Sequence, residues 1–453
     1  MIKLYDTLTR KKQIFKPLKK GKIGIYTCGP TVYGPSHLGH ARSYVNFDIL
    51  KRIFLYNDYK VKHILNITDI HDSMIKKANE LGITIKQLAG KYTPLFLKEV
   101  EELNIIHADK YPKVTENIPE IIEMIKILIK KGYGYVEEDG SVYYDVSKFK
   151  KYGKLSGIKL EEAKTGTRVN TDEYKKESVA DFVLWKGWKE GEPFWNSPWG
   201  KGRPGWHIEC SVMAKKYLGE TIDLHAGAMD LKFPHHENEI AQSEAANGVK
   251  FANYWLHGGL LDIENKKMSK SLGNYIEIHE IKEKGYSFTA LRYLFLTSHY
   301  SSKTNFSWKS LESAQNSLNN LYDKIRELKT EKNKKTKNKK TDKYKEMFLK
   351  YINDDLNVPR ALALTWDLIK DKDVSNKDKY KLLLNFDQVF GLNLKEIKEI
   401  KIPQEIKELV KQREQLRKEN NWKGADLIRK EIEKLGFQIE DVEGKSLIKK
   451  LNR

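Results

Sequence analysis

The sequence predicts an α/β fold in which a parallel sheet is interrupted by an insertion and followed by a helical bundle. The segment Lys22–Cys28 (KIGIYTC) has the short, apolar, β-rich composition of a buried strand. In Ala41–Tyr56 apolar side chains recur at helical spacing, and Val61–Ile67 (VKHILNI) is a second apolar run. A strand, helix, strand unit of this kind predicts parallel strands joined by a right-handed crossover.

The sheet is expected to be interrupted after a largely helical stretch that ends near Lys130. The segment Gly132–Asp145 (GYGYVEEDGSVYYD) predicts a hairpin in the insertion, with Asp139-Gly140 as a two-residue turn. The parallel sheet is expected to resume near Asp181, because DFVLW and TIDLH are again short apolar runs.

The chain after Gly258 is predicted to be mainly helical. The loop IENKKMSKSLGN leads into helical sequence through Tyr322, and Asp355–Asp371 predicts a further helix. Between them, Lys329–Lys345 holds nine Lys against one Glu and one Asp, which favours a solvated linker over an RNA-binding arm. The tail predicts a helical hairpin. The expected divisions are 1–115 (first half of the sheet domain), 116–180 (connective insertion), 181–265 (second half), 266–310 (the loop with the sequence KMSKS and the region after it), 311–400 (helical bundle) and 401–453 (C-terminal segment).

The net charge, the number of cysteines and the distribution of apolar residues indicate which partners and which compartment to expect. The 453 residues include 82 Lys plus Arg against 62 Asp plus Glu, a formal net charge of +20. This charge indicates either a polyanionic partner such as nucleic acid or a Lys-rich solvated surface, and it leaves both open. Two cysteines exclude a disulfide framework and favour a reducing compartment. Without a long apolar run, and with no signal peptide in Met1–Arg10, a cytoplasmic protein that does not contact membranes is expected.

Two motifs point to phosphate chemistry. His37-Leu38-Gly39-His40 lies between a predicted strand and a helix start, where backbone N–H groups favour an anion and Gly39 permits a close approach. Lys267-Met268-Ser269-Lys270-Ser271 is a polar loop whose Lys side chains suit a leaving pyrophosphate. Each motif alone is weak. Their order along the chain predicts one nucleotide site built from both halves of the sheet.

The HLGH and KMSKS strings resemble the two signatures of the class I aminoacyl-tRNA synthetases, with Leu38 as a conservative departure. The resemblance implies a Rossmann-type catalytic domain that uses ATP with Mg²⁺. It also implies catalytic roles for His37, His40, Lys267 and Lys270, and ATP binding by His37, Gly39, His40 and Lys270.

A third set of residues could hold a metal. Cysteine thiolate, imidazole and carboxylate are zinc ligands, and His235 and Glu239 are one helical turn apart. With Cys28 and Cys210 they would complete a site, although the spacing equally permits two buried thiols beside a helix start. Other candidate ligands are His225, His236 and Glu237. Near such a metal, we expect Thr68, Trp206 and His225 to contact a small substrate.

The strings GPTVYGPSHLGH, RPGWHIECSVM and FPHHENEIAQSEA are similar to the cysteinyl branch of that family. The resemblance implies one Zn²⁺ per chain, held by residues at Cys28, Cys210, His235 and Glu239, that binds the thiol of the substrate L-cysteine. The acceptor would be tRNA(Cys), and a monomer is expected. An apolar pocket separates near-isosteres by only roughly 1–3 kcal/mol, so a thiol-binding metal would supply the discrimination against serine.

The C-terminal string LVKQREQLRKENNWKGADLIRKEIEKLGFQIED resembles the anticodon-binding segment of that branch. Within it, Trp422 could stack on a base, Arg429 could pair with phosphate or guanine, and Asp441 could accept from a guanine edge. Two rival functions remain at this point. One is a ligase that passes cysteine to a small amine, and the other is a non-catalytic RNA-binding protein.

Overall fold

The structure, a computed structural model, describes residues 1–158, 181–269, 273–330, 339–399, 402–442 and 445–450. Its strands are β1 (Lys3–Asp6), β2 (Lys11–Ile14), β3 (Lys22–Thr27), β4 (Lys60–Leu65), β5 (Gly134–Val136), β6 (Val142–Tyr144), β7 (Phe182–Gly187), β8 (Trp195–Ser197), β9 (Gly200–Pro204), β10 (Ile222–Ala228), β11 (Ala252–Gly258), β12 (Leu261–Ile263), β13 (Lys266–Lys267), β14 (Thr304–Phe306), β15 (Phe437–Val442) and β16 (Lys445–Lys450).

The described helices are α1 (Leu38–Tyr56), α2 (Asp72–Leu81), α3 (Ile85–Glu102), α4 (Ile118–Lys130), α5 (Ile208–Leu218), α6 (His235–Asn247), α7 (His279–Glu283), α8 (Phe288–Leu296), α9 (Trp308–Thr330), α10 (Lys339–Ile352), α11 (Val358–Lys370), α12 (Asn376–Phe390), α13 (Gln404–Lys418) and α14 (Trp422–Lys434). None of these helices is long and apolar enough to cross a bilayer.

A four-stranded parallel sheet of order β11-β10-β3-β4 forms the centre of the N-terminal half. The predicted strand, helix, strand unit is confirmed as β3, α1 and β4. Helix α1 buries Val45, Leu50 and Ile53 against the sheet. Because these side chains project from one helix toward the sheet, they recur at helical spacing in the sequence. The carboxyl ends of β3 and β10 are neighbours, so the loops that follow them share one edge of the sheet.

Between β4 and β10 of the parallel sheet, residues 134–204 contribute a five-stranded antiparallel sheet of order β5-β6-β7-β9-β8, which extends beyond the expected insertion 116–180. The prediction that DFVLW resumes the parallel sheet is therefore wrong: β7 pairs with β6 and β9 instead. TIDLH does belong to the parallel sheet, as β10. A short apolar run fits a buried strand in either sheet, so periodicity could not separate the two.

The hairpin over Gly132–Asp145 is confirmed, but its two-residue turn is wrong. The Glu137 N–H donates to the Ser141 carbonyl at 2.9 Å, so the connecting loop is Glu138–Gly140. Gly140 has φ +81°, as a longer hairpin loop that closes on a left-handed residue requires.

The C-terminal, helical half packs directly on α1 of the N-terminal half. Buried Asp48 of α1 accepts hydrogen bonds from Arg52, at 2.6 Å, and from Arg292 of α8. Arg292 Nε also donates to the Phe390 carbonyl at the end of α12, at 2.6 Å. The Lys-rich run is helical at both ends, in α9 and α10, and 331–338 lie outside the described residues.

The C-terminal segment is a small unit with its own apolar cluster. Helices α13 and α14 form the predicted helical hairpin, and they pack against the antiparallel pair β15–β16. Its core includes buried Ile406, Ile432 and Ile439. The strand pair was not predicted, because alternating polar and apolar residues in so short a tail give a weak signal.

Candidate active site

Helix α1 begins at the first motif, and its first turn is capped by a side chain. His37 Nδ1 accepts from the backbone N–H groups of Gly39, at 3.1 Å, and His40, at 3.3 Å. These N–H groups are therefore occupied, and the expectation that they would bind an anion is not met here. Because His37 Nδ1 is an acceptor, the neutral ring carries its proton on Nε2, a donor suited to a phosphate oxygen.

The two imidazoles of the motif stack on each other. The ring centroids of His37 and His40 are 3.6 Å apart, and Tyr275 meets His37 edge-on at 5.2 Å. Burial and the neighbouring His37 lower the pKa of His40 to about 3. His40 is therefore a neutral group in the physiological range, able to form hydrogen bonds but not ion pairs.

The second motif lies against the first. Leu38 N–H donates to the Ile276 carbonyl at 3.1 Å, and Ile278 N–H donates to the Ser36 carbonyl at 2.9 Å. Asn274 Nδ2 donates to the Lys267 carbonyl at 3.0 Å, and its Oδ1 accepts from Ser269 N–H at 2.9 Å. Lys267 is exposed at the end of β13, and Lys270 lies outside the described residues. The described part of the structure thus brings the two motifs together.

The four residues proposed as metal ligands meet in the interior. Cys28 follows β3, Cys210 lies on α5, and His235 and Glu239 lie on the first turns of α6. One ligand atom from each of the four lies within 4.8 Å of all the others. Cys210 Sγ is 3.5 Å from His235 Nε2, and His235 Nε2 is 3.1 Å from Glu239 Oε1. All four residues are buried.

The two thiols and the carboxylate of this cluster are groups that a bound cation would stabilise in their ionised forms. Burial raises the pKa of Cys28 to about 12. Burial alone would raise the pKa of Glu239, but His225 and His235 outweigh it and lower that pKa to about 2. Two thiols and a carboxylate enclosed together are stabilised as anions by a divalent ion. The donor set, its burial and its convergence therefore fit zinc.

Two further histidines, His225 and His207, contact the proposed ligands Glu239 and His235. His225 Nε2 is 2.8 Å from Glu239 Oε2, and its ring stacks on Trp255. His207 Nδ1 is 2.9 Å from His235 Nδ1, which turns the His235 Nε2 toward Cys210. Such contacts orient metal ligands. Sequence reasoning missed His207, although its position directly after Trp206 in GWHIEC could have revealed it.

A second set of donors shares part of the cluster. Cys28, His225, His236 and Glu239 also bring one ligand atom each within 4.8 Å of the others. In this set, His236 Nε2 is 3.3 Å from Cys28 Sγ, and His236 Nδ1 contacts His257 Nε2 at 2.8 Å. His225 and His236 were predicted as competing ligands, and geometry leaves both sets able to hold an ion.

The predicted substrate contacts border the cluster. The Trp206 ring lies 4.4 Å from the His235 ring, and the side chain is 36% exposed, so it forms a wall between the cluster and solvent. Thr68 Oγ1 donates to buried Glu209 at 2.9 Å. His225 is fully buried behind Glu239. Trp206 is thus the one of the three that also reaches the surface.

The predicted RNA contacts are spread over the C-terminal segment. Trp422 is 57% exposed, with the Arg417 guanidinium 5.9 Å from its ring centroid. Arg429 is exposed. Asp441 accepts from Arg413 at 2.7 and 3.0 Å and pairs with Arg417 at 2.6 Å, so its carboxylate already has protein partners.

Comparison with protein families identifies both parts of the chain. Residues 14–316 match the family described as tRNA synthetases class I (C) catalytic domain. Residues 401–446 match the cysteinyl-tRNA ligase anticodon binding domain.

Solved structures share the fold at low sequence identity. Methionyl-tRNA synthetase of Mycobacterium tuberculosis in complex with methionyl-adenylate is 15% identical, with a TM-score of 0.58 over 82% of this chain and 88% of that chain. The ternary complex of Agrobacterium radiobacter K84 agnB2 LeuRS with tRNA and LeuAMS is 10% identical, with a TM-score of 0.56 over 84% and 85%. The putative arginyl tRNA synthetase of Campylobacter jejuni is 17% identical, with a TM-score of 0.51 over 84% and 93%.

Proposed function

The chain belongs to the cysteinyl-tRNA synthetases of class I, and from that premise we propose that it selects cysteine through a zinc ion held by Cys28, Cys210, His235 and Glu239. Its activity is that of a cysteine–tRNA ligase, which joins cysteine to tRNA at the expense of ATP. The observation that carries the proposal is the convergence of two thiols, an imidazole and a carboxylate in one buried cluster.

Zinc would suit the discrimination that this reaction needs. When bound, the ion would coordinate the soft thiolate of cysteine. The hydroxyl of serine has a far higher pKa, so its coordination to zinc would add little binding free energy. The chain's own residues shape the rest of the pocket. His207 and His225 orient His235 and Glu239, and Trp206 closes the solvent side over a small side chain.

The activation step would be served by the two motifs. His37 Nε2–H and the neutral His40 would donate to phosphate oxygens of ATP·Mg²⁺, and Gly39 would let them approach. Lys267 and Lys270 would stabilise the charge that develops on the leaving pyrophosphate. These groups act on charge that appears in the transition state, where such contacts contribute most to rate.

The first experiment is ATP–pyrophosphate exchange with each of the 20 amino acids, run beside a metal assay on the same protein. Exchange with cysteine alone and one zinc per chain is expected. Exchange with serine at a comparable rate, or cysteine selectivity in a protein without zinc, would contradict zinc-based selection.

The two overlapping donor sets can be separated by substitution. If the proposed set binds zinc, Cys210→Ser lowers zinc retention and the preference for cysteine over serine together. His236→Gln, which removes a donor found only in the other set, keeps one zinc per chain. The reverse pattern would assign the ion to Cys28, His225, His236 and Glu239.

The acceptor is proposed to be tRNA(Cys), read by the C-terminal segment with Trp422, Arg429 and Asp441. The match of residues 401–446 to an anticodon-binding domain favours tRNA over a small amine. Charging of bulk tRNA with cysteine, without cysteine transfer to amino sugars, is the expected result. We place this reaction in the cytoplasm.

A further inference from the structure

A buried glutamate beside the metal cluster has one unpaired carboxylate oxygen. Glu209 lies on the first turn of α5, directly before the proposed ligand Cys210, and it is 1% exposed. Its Oε2 accepts from the Thr68 hydroxyl at 2.9 Å. Its Oε1 is buried and has no hydrogen-bond partner among the described residues. Leaving a buried acceptor unsatisfied costs free energy, which a donor bound at that oxygen would restore.

A chain of polar contacts connects this carboxylate to the metal cluster. Asn66 Oδ1 lies 3.8 Å from Cys210 Sγ, and Asn66 Nδ2 donates to Thr68 Oγ1 at 3.2 Å. The Thr68 hydroxyl therefore accepts one hydrogen bond and donates another to Glu209, which leaves it one free lone pair. Asn66, Thr68 and Glu209 are each at most 2% exposed. The unpaired oxygen thus belongs to the wall of the proposed cysteine pocket.

The other buried carboxylates around the cluster have partners for both oxygens. Each oxygen of Glu239 lies within 3.1 Å of a histidine nitrogen. Each oxygen of Glu237 accepts from a backbone N–H, and each oxygen of Asp69 accepts from Thr115. Of these four carboxylates, Glu209 alone has an oxygen left for a ligand.

A cation would complete the surroundings of Glu209. Burial raises the pKa of Glu209 to about 8, even though His235 and the Thr68 hydroxyl act to lower it. A cation bound beside the carboxylate would stabilise its charged form. Cysteine carries such a cation, because its amino group is protonated at neutral pH. The sulfur and the nitrogen of cysteine are on adjacent carbon atoms, so a thiol bound at the cluster keeps the ammonium close to it.

We propose that Glu209 and Thr68 bind the α-ammonium group of cysteine, with Glu209 Oε1 and the free lone pair of the Thr68 hydroxyl as acceptors. The inference rests on the proposed function, in which the thiol of cysteine binds the metal. Contacts to the thiol and to the ammonium orient the substrate, so its carboxylate is left free to attack ATP. Glu209 thereby selects an amino acid over other small thiols, which the metal alone would also bind.

The test measures, by calorimetry, the binding of two thiols to the zinc-loaded protein. One is cysteine, and the other is β-mercaptopropionate, which is cysteine without its amino group. In Glu209→Gln the amide oxygen can accept from Thr68, which turns the amide NH₂ toward the ammonium. The Kd for cysteine is expected to rise roughly 10- to 100-fold, the loss expected for a charge-assisted hydrogen bond. The Kd for β-mercaptopropionate is expected to stay within about twofold, because it makes no such bond.

Glu99→Gln is the matched control. Glu99 is a buried glutamate on α3, and its carboxylate accepts from the Ser36 N–H at 3.3 Å. This variant should leave the Kd of both thiols unchanged. The zinc content of each protein is measured beside the binding, so that loss of the metal is distinguished from loss of the ammonium contact.

The wild type alone can overturn the inference. It is expected to bind cysteine at least about tenfold more tightly than β-mercaptopropionate, and equal affinities would contradict the ammonium contact. A parallel rise of both Kd values in Glu209→Gln would also overturn it, because Glu209 would then support the metal ligands instead. Failure of the proposed function gives a different result, in which protein stripped of zinc binds both thiols as tightly as the loaded protein. In that case a loss of the preference for cysteine in Glu209→Gln would still assign the ammonium contact.

Discussion

The Met268 side chain lies against Gly39: its Cε is 3.1 Å from the position that a Cβ on Gly39 would occupy. Met268 belongs to the second motif and Gly39 to the first, and they are 229 residues apart in the sequence. The absence of a side chain at Gly39 therefore determines how closely the KMSKS loop approaches the stacked histidines.

Gly39→Ala is expected to lower the exchange rate roughly 100-fold, because small displacements of catalytic groups are costly. The added methyl would lie 2.9 Å from His37 Cε1 and 3.0 Å from His37 Nδ1, and it would displace the ring that caps α1. Gly90→Ala, on α3, is the matched control, because a Cβ at Gly90 also meets nothing within 4 Å and lies away from the two motifs. Equal exchange rates for the two variants would contradict this role of Gly39.

His40 is expected to act as a neutral group at every working pH. Its pKa is lowered to about 3 by burial and by His37, so it is uncharged throughout pH 5–8. The ratio of wild-type exchange to that of His40→Asn should therefore be constant across that range. If a protonated His40 were needed, the ratio would rise as the pH falls, and a change of more than about threefold would rule out the neutral role.

Candidate residues of the site could be named from the sequence, whereas several details of the fold could not. His37, Cys28 and Cys210 were candidates because few residue types can perform those roles, and the resemblance to the family, rather than spacing, selected the two cysteines as ligands. Their convergence depends on α5 and α6 packing together, which no local pattern encodes. The prediction that β7 belongs to the parallel sheet failed for the same reason, since partner choice between strands is decided by tertiary contacts.

Contacts that support the site were hardest to foresee. Asn274 bridges Lys267 and Ser269, and His207 orients His235, yet neither residue type signals such a role by itself. Both lie within a few residues of a motif. In the sequence, only this closeness to a motif indicated that Asn274 and His207 support the site.

Asp48→Asn is expected to lower the free energy of unfolding by about 3–5 kcal/mol at pH 7, because it leaves two buried guanidinium groups uncompensated. Burial alone would raise the pKa of Asp48, but Arg292 and Arg52 outweigh it and lower that pKa. The stabilisation is therefore complete above about pH 4 and is lost as the pH falls through the folded pKa. Urea unfolding of the wild type and of Asp48→Asn at pH 7 and at pH 3 measures this stabilisation. The difference in unfolding free energy between the two proteins should be smaller at pH 3 than at pH 7.

The matched control for Asp48 is Asp354→Asn, which breaks an exposed pair with Lys12 at 2.9 Å. Exposed pairs contribute about 0–1 kcal/mol, so this variant should unfold close to the wild type. A loss for Asp48→Asn as small as that of the control would mean that the cluster of α1 and α8 does not tie the two halves together.

Asp441 is expected to act through the fold of the C-terminal segment as well as on RNA. Hydrogen bonds from Arg413 lower the pKa of Asp441 to about 2, and Arg413 is buried on α13, so the carboxylate joins β15 to the helical hairpin. Asp441→Asn should loosen this joint and raise the KM for full tRNA while leaving the KM for an acceptor minihelix that lacks the anticodon unaffected. Hydrogen exchange of the amides in β15 should rise in the same variant. If the KM rises while amide protection is unchanged, Asp441 contacts the RNA without supporting the segment, and the joint assigned here to Arg413 is dispensable.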